Sequence, residues 1–102
     1  MAKAYVVYKM WHEVYDKTEV YDSESVEKVF FMEDAAIAYI KDAFKAVHSW
    51  ALNAYPDNEN LKLYDSDSQY IQEGQAVRVM DIFEDYDFKI AVHYRYESRY
   101  VE

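Results

Sequence analysis

The spacing of apolar residues changes twice along these 102 residues, and the two changes limit the fold more than any other feature. Residues 4 to 14 alternate. Ala4, Val6, Tyr8, Met10 and Val14 fall on one face, with His12 between, and Lys3, Tyr5, Lys9, Trp11 and Glu13 on the other. Period two marks a half-buried strand, because successive side chains of a strand point to opposite sides. Tyr15-Asp16-Lys17 reads as a turn, and a second strand starts at Thr18. Asp22-Ser23-Glu24-Ser25 is expected to interrupt it as a bulge or loop before pairing resumes over Val26 to Phe31, making a hairpin.

From residue 33 the period becomes three-four. Ala36, Ile37, Ile40, Phe44, Val47, Ala51 and Ala54 make one stripe, with Lys41, Asp42, Lys45, Ser49 and Asn53 largely off it. This predicts an amphipathic helix over residues 33 to 54, roughly six turns long. Glu33 and Asp34 stand in its first turn, where the helix dipole favours carboxylates. Phe31 and Met32 precede it where a Ser, Thr or Asp cap would be usual, and Tyr55-Pro56-Asp57-Asn58 ends it.

Alternation then returns. Leu61 to Tyr64 reads as a short strand or a single turn, and Gln75 to Phe83 as a strand with Val77, Val79 and Phe83 opposite Arg78, Met80 and Ile82. Glu84-Asp85-Tyr86-Asp87 is a turn. In Phe88 to Tyr100, Phe88, Ile90, Val92, Tyr94, Tyr96 and Tyr100 face away from Lys89, His93, Arg95, Glu97 and Arg99. The expectation is one α+β domain, β-β-α-β-β: a four-stranded antiparallel sheet with one long helix on one face. Ile37, Ile40, Phe44, Val47, Val6, Tyr8, Val79, Ile90 and Val92 are its expected core. Tyr5, Trp11, His93, Arg95 and Arg99 are expected on the uncovered face, where aromatics suggest a dimer or partner surface.

Charge narrows the function. The chain has 20 Asp and Glu against 11 Lys and Arg, a net charge of -9, with 12 Tyr and no Cys. Such a field repels nucleic acid and anionic membranes, so neither is an expected direct partner. With 52% apolar residues, disorder is not expected. No apolar run nears the ~20 residues that span a bilayer. The first residues enter a strand pattern without a secretory segment, which points to the cytoplasm. Gly74 is the single glycine, which excludes a glycine-rich phosphate loop.

Catalytic and metal signatures are weak. Asp65-x-Asp67-x-Gln69 begins like a calcium loop, but Tyr70 stands where the loop needs Gly and Ala76 where it needs Glu. No metal or cofactor is expected. His12 and His93 could meet if the terminal strands are neighbours, yet no Ser or Cys nucleophile pattern accompanies them, so no enzyme is expected. Lys3, Lys9, Lys89, Arg95 and Arg99 alternate with Tyr as in sheets that stack bases, but they are few in a strongly negative field, and cross-strand pairing with the chain's own acids also accounts for them.

The acids fall in two groups. Glu19, Asp22, Glu24 and Glu27 lie along the first hairpin, and Asp81, Glu84, Asp85 and Asp87 around the last. One reading is a solvated surface that keeps a small protein soluble. The other is a DNA mimic: carboxylates take the Lys and Arg contacts that phosphates take in a basic groove. Tyr15, Tyr21 and Tyr86, set among these acids, would add uncharged contact area.

At Tyr5-Val6-Val7-Tyr8 and Val29-Phe30-Phe31-Met32-Glu33-Asp34-Ala35, the chain resembles small proteins of phages and mobile elements that share a hairpin followed by an Ala-rich helix. In overall character it is similar to phage-encoded anti-defence proteins of the anti-CRISPR type. That resemblance implies a non-enzymatic inhibitor in the bacterial host cytoplasm, bound to a nuclease or other basic nucleic-acid-handling protein. The alternative is a self-associating module, a homodimer through the open sheet face with Trp11 and Tyr5 at its centre.

Overall fold

The first strand pairs along both of its edges, and the rest of the sheet is arranged around it. The computed structural model describes residues 2–15, 19–57, 59–84 and 87–101, with backbone alone at 15, 19, 84, 87 and 88. The elements are β1 (Ala2–Tyr15), β2 (Glu19–Phe30), α1 (Glu33–Ala54), β3 (Leu61–Leu63), β4 (Val77–Glu84) and β5 (Asp87–Val101), with a short 3-10 turn at Ser66–Ser68. The sheet order is β2-β1-β5-β4-β3, all antiparallel. The α+β class and the helix bounds match the periodicity. The expected four strands become five, because Leu61 and Leu63 pair opposite Ile82 and Met80 and turn their side chains to the core.

The helix stripe works as its spacing implies. Ala36, Ile40, Phe44, Val47 and Ala51 are buried, while Ile37 at the stripe's margin is half-buried. Glu33 and Asp34 occupy the first turn, and Met32 makes no side-chain cap hydrogen bond. Across from the helix lie Val7 of β1, Val77, Val79, Met80 and Ile82 of β4, and Ile90, Val92, Tyr94 and Tyr96 of β5. His48 Nε2 donates to the Val79 carbonyl at 3.0 Å, tying α1 to β4.

Two expectations about faces are corrected. In β1 the helix takes the odd residues: Tyr5, Val7 and Trp11 pack on the core, while Val6, buried as expected, and Tyr8 stand on the opposite face. Register decides this. Trp11 lies opposite Val92 and Val7 opposite Tyr96, so the odd residues of β1 share a face with the even residues of β5. In β4 the register shifts between Arg78 and Met80, so Val79 is an extra residue. Alternation therefore changes phase, and Met80 and Ile82 join Val77 and Val79 in the core.

The interruption expected at Asp22-Ser23-Glu24-Ser25 is also corrected. β2 runs on through it, with Trp11 opposite Ser23 and Lys9 opposite Ser25. Continuous pairing with β1 overrides the weak strand preference of Asp and Ser. The irregularity comes later, between Tyr8–Val26 and Val7–Lys28, and makes Glu27 the additional residue.

Short bare edges are closed by side chains. Beyond the end of β3, the Gln69 amide donates to the Arg78 carbonyl and accepts from the Arg78 N–H, both at 2.8 Å, replacing a strand neighbour. Beyond the start of β4, the Ser98 N–H donates to Glu73 Oε1 at 2.7 Å and the Gly74 N–H to the Tyr96 carbonyl at 2.8 Å. Gly74 does so at φ +79, a conformation costly to residues bearing a Cβ.

Candidate partner-binding surface

The face away from the helix carries an ion network built around the Tyr8 ring, not Trp11 and Tyr5. Arg95 of β5 lies directly opposite Tyr8 of β1, its guanidinium 4.3 Å from the ring centroid. It pairs with Glu24 of β2 and, at 2.5 Å, with Glu97 Oε1. Arg99 donates to the Tyr8 hydroxyl at 3.2 Å and lies 3.4 Å from Glu97. Alternation of strand side chains sets these groups in a row, and β1 and β2 supply the acid and the ring. Arg95 and Arg99, expected as a basic strip, are thus engaged with the chain's own acids. Lys9 and Lys3 stand on the helix side, over the rings of Trp11 and Tyr5.

Further along this face, Asp81 is 1% exposed and accepts a 2.5 Å hydrogen bond from the Tyr64 hydroxyl. Lys62 and Arg78 flank the Tyr64 ring. His93 is opposite Arg78 on one side and Met10 on the other. Burial holds its pKa below the ordinary imidazole value, against the pull of Asp81 and with the push of Arg78 and His12. β1 and β5 are neighbours, as the meeting of the two histidines required, but His12 pairs with Asp22 instead.

The first acid group lies on β2, which is an edge strand. Asp22, Glu24 and Glu27 are exposed there, with Tyr21. Glu24 holds Arg95, Asp22 holds His12, and Glu27 accepts from Tyr39 and Ser25. The side chains of Glu19 and Tyr15 are outside the described residues. The second group is not one surface: Asp81 is interior and is withdrawn as a contact residue. Asp85 and Tyr86, and the side chains of Glu84 and Asp87, lie outside the described residues. The strand preference of the Asp81 segment hid its burial, because an acid on an alternating strand ordinarily faces water.

Sequence reasoning missed the trough on the helix side. Ser23 and Ser25 are small, so Trp11 and Lys9 of β1 remain accessible across them, in a depression of about 350 Å3 bounded by Tyr21 and Glu27. It shares Lys9, Trp11 and Glu27 with a larger groove of about 580 Å3 between α1 and the sheet, walled by Tyr39, Asp42, Trp50 and Tyr94. The visible signal was two serines on a strand next to a strand bearing Trp.

Asp65, expected to resemble a calcium ligand, caps the 3-10 turn by accepting from the Asp67 N–H at 2.9 Å. Among the described residues, no group of three or more His, Asp or Glu is placed to hold a metal ion. No helix among them is long and apolar enough to cross a membrane. Compared with known protein families, curated proteins and solved structures, the chain matches none.

Proposed function

We propose that this protein is a non-enzymatic inhibitor that docks on the basic surface of a nucleic-acid-handling protein through β2, in the manner of phage anti-defence proteins. The observation that carries the reading is the placement of Asp22, Glu24 and Glu27 beside exposed Tyr21 on one edge strand. Asp22 and Glu24 on the open face, and Glu27 with Tyr21 on the helix side, offer Lys and Arg from both sides of the strand what a phosphate backbone offers, and a tyrosine supplies contact area at small entropic cost. Of the two acid groups, the first is favoured because Asp81 is removed from the second by burial. The self-association alternative loses its anchors, since Trp11 and Tyr5 are on the covered side.

The test is recovery of partners from bacterial lysate with the wild type, with Asp22→Lys/Glu27→Lys, and with Glu84→Lys/Asp85→Lys/Asp87→Lys. Glu24 is left native because it holds Arg95. The expected result is a basic nucleic-acid-binding protein, released by heparin or duplex DNA and lost with the first reversal. If nothing basic is recovered, or neither reversal changes what is recovered, the acidity only keeps the protein soluble.

A further inference from the structure

Among the described residues no strand pairs with the outer edge of β2, which runs for 12 residues, whereas shorter edges at β4 and β5 are closed by Gln69 and Glu73. Edge strands that must not pair are usually short, covered, charged or broken by a bulge. β2 is long and, among the described residues, uncovered; its one irregularity, at Glu27, and its acids leave the edge from Val20 to Val26 regular and selective for a basic segment. It also presents Val20, Val26 and Val29, each about half exposed or more. These apolar side chains stand on the face away from the helix, as their opposites Val14, Tyr8 and Val6 do.

We propose that this edge receives an extended segment of the partner by strand addition, with a Lys or Arg of that segment reaching across Ser23 and Ser25 to the Trp11 ring. This rests on the proposed basic partner and states how it is held. Main-chain hydrogen bonds to an open edge give affinity, and alternate side chains falling into surface depressions give specificity. Val20, Val26 and Val29 would meet the apolar side chains of the added strand on one face. On the other face lies the 350 Å3 depression, with Trp11 and Lys9 as floor and Glu27 on its rim. A cation there gains the ring face and a carboxylate together.

Charge selects the occupant. β2 carries Glu19, Asp22, Glu24 and Glu27 against Lys28 alone. A second copy of β2 would bring like charges together, while a Lys- or Arg-bearing segment is complementary. Lys9 opposes part of this, since its own Nζ stands 5.5 Å from the Trp11 centroid. The incoming cation must displace that amine toward solvent, so Lys9→Ala is expected to tighten binding.

The probe is a ten-residue peptide alternating Val and Arg, and the control is the same peptide N-methylated at every second residue, which keeps the charge and removes strand hydrogen bonding. Binding is read at low salt by titration, and β2 amide exchange by NMR on the full chain. The expected result is at least tenfold tighter binding of the unmethylated peptide and at least tenfold slower exchange of β2 edge amides. Ser25→Tyr, which fills the depression at an exposed position, should remove most of that preference while keeping the near-UV spectrum of a folded protein. Equal binding of the two peptides without β2 protection overturns strand addition but leaves the basic-partner reading to the lysate experiment. An unchanged preference in Ser25→Tyr overturns the placement of the cation over Trp11. A dimer in sedimentation, with β2 amides already protected, overturns the choice of occupant in favour of a second copy.

Discussion

Trp11 of β1 meets Trp50 of α1 edge to face, with ring centroids 5.5 Å apart. Register with β5 turns Trp11 to the helix, and the two rings together line the aromatic groove. Trp50 also stands edge-on to Tyr55 at 6.1 Å, so the pair anchors the last turn of a helix that has no basic residue there to offset its dipole.

Trp11→Ala should therefore lower stability by about 2–3 kcal/mol, toward or below the low end for a truncated large aromatic because the site is half-buried. Urea denaturation measures it. Near-UV circular dichroism should also lose the Trp signal in both Trp11→Ala and Trp50→Ala, since each ring orders the other. A loss of under 0.5 kcal/mol in Trp11→Ala would place the ring in solvent.

Tyr64→Phe removes the donor from a carboxylate that is 1% exposed. A buried acceptor left without its partner costs about 1–3 kcal/mol. Tyr64→Phe/Asp81→Asn should recover part of that loss, because the charge is then absent. If Tyr64→Phe is as stable as the wild type at neutral pH, the Tyr64–Asp81 hydrogen bond contributes nothing.

Stability should fall at both ends of the pH scale, because burial opposes the charged form of one group that gains a proton and of another that loses one. His93 has its pKa lowered in the fold, first by burial. The unfolded chain then binds the proton more tightly, so stability is full above the ordinary imidazole pKa of about 6.5 and declines as pH falls through it. Tyr96 is pushed up to about 12, first by burial and then by its hydrogen bond to Glu33. Its contribution is complete below about pH 10, the ordinary phenol value, and declines as pH rises from there toward 12. Thermal melts across pH should show the acid slope flattened in His93→Gln and the alkaline slope flattened in Tyr96→Phe. Unaltered slopes in both variants would remove these groups as the cause.

The helix was fully legible in the sequence, because three-four spacing over 22 residues has no competing explanation. Strand existence was legible for the same reason, but strand faces were not. Parity across a sheet depends on register, and register depends on which residue opposes which: Trp11 faces the helix because it lies opposite Val92. Three irregularities, at Glu27, Val79 and Lys89, each shift the phase by one residue, and no local signal marks them. The acids of β2 were legible as a group. The burial of Asp81 was not, since it depends on Tyr64 returning over β4 from a segment without regular spacing.

Glu24 and Glu27 should separate stability from binding. Glu24 pairs with Arg95, whose side chain is 18% exposed and stacked on Tyr8, while Glu27 accepts from Ser25 and Tyr39 in longer contacts of 3.4 and 3.5 Å. Glu24→Lys therefore sets a like charge against a half-buried guanidinium, leaving Glu97 as its partner. Because Glu24 is itself well exposed, water screens part of the effect, and the loss should be about 1–2 kcal/mol. Adding salt should narrow the gap from the wild type. Glu27→Lys should leave stability within about 0.5 kcal/mol, as expected for an exposed substitution, and act on partner recovery alone. Melting curves of the two variants at low and high salt decide the matter, and equal melting temperatures at low salt would show that the Arg95 network does not stabilise the sheet.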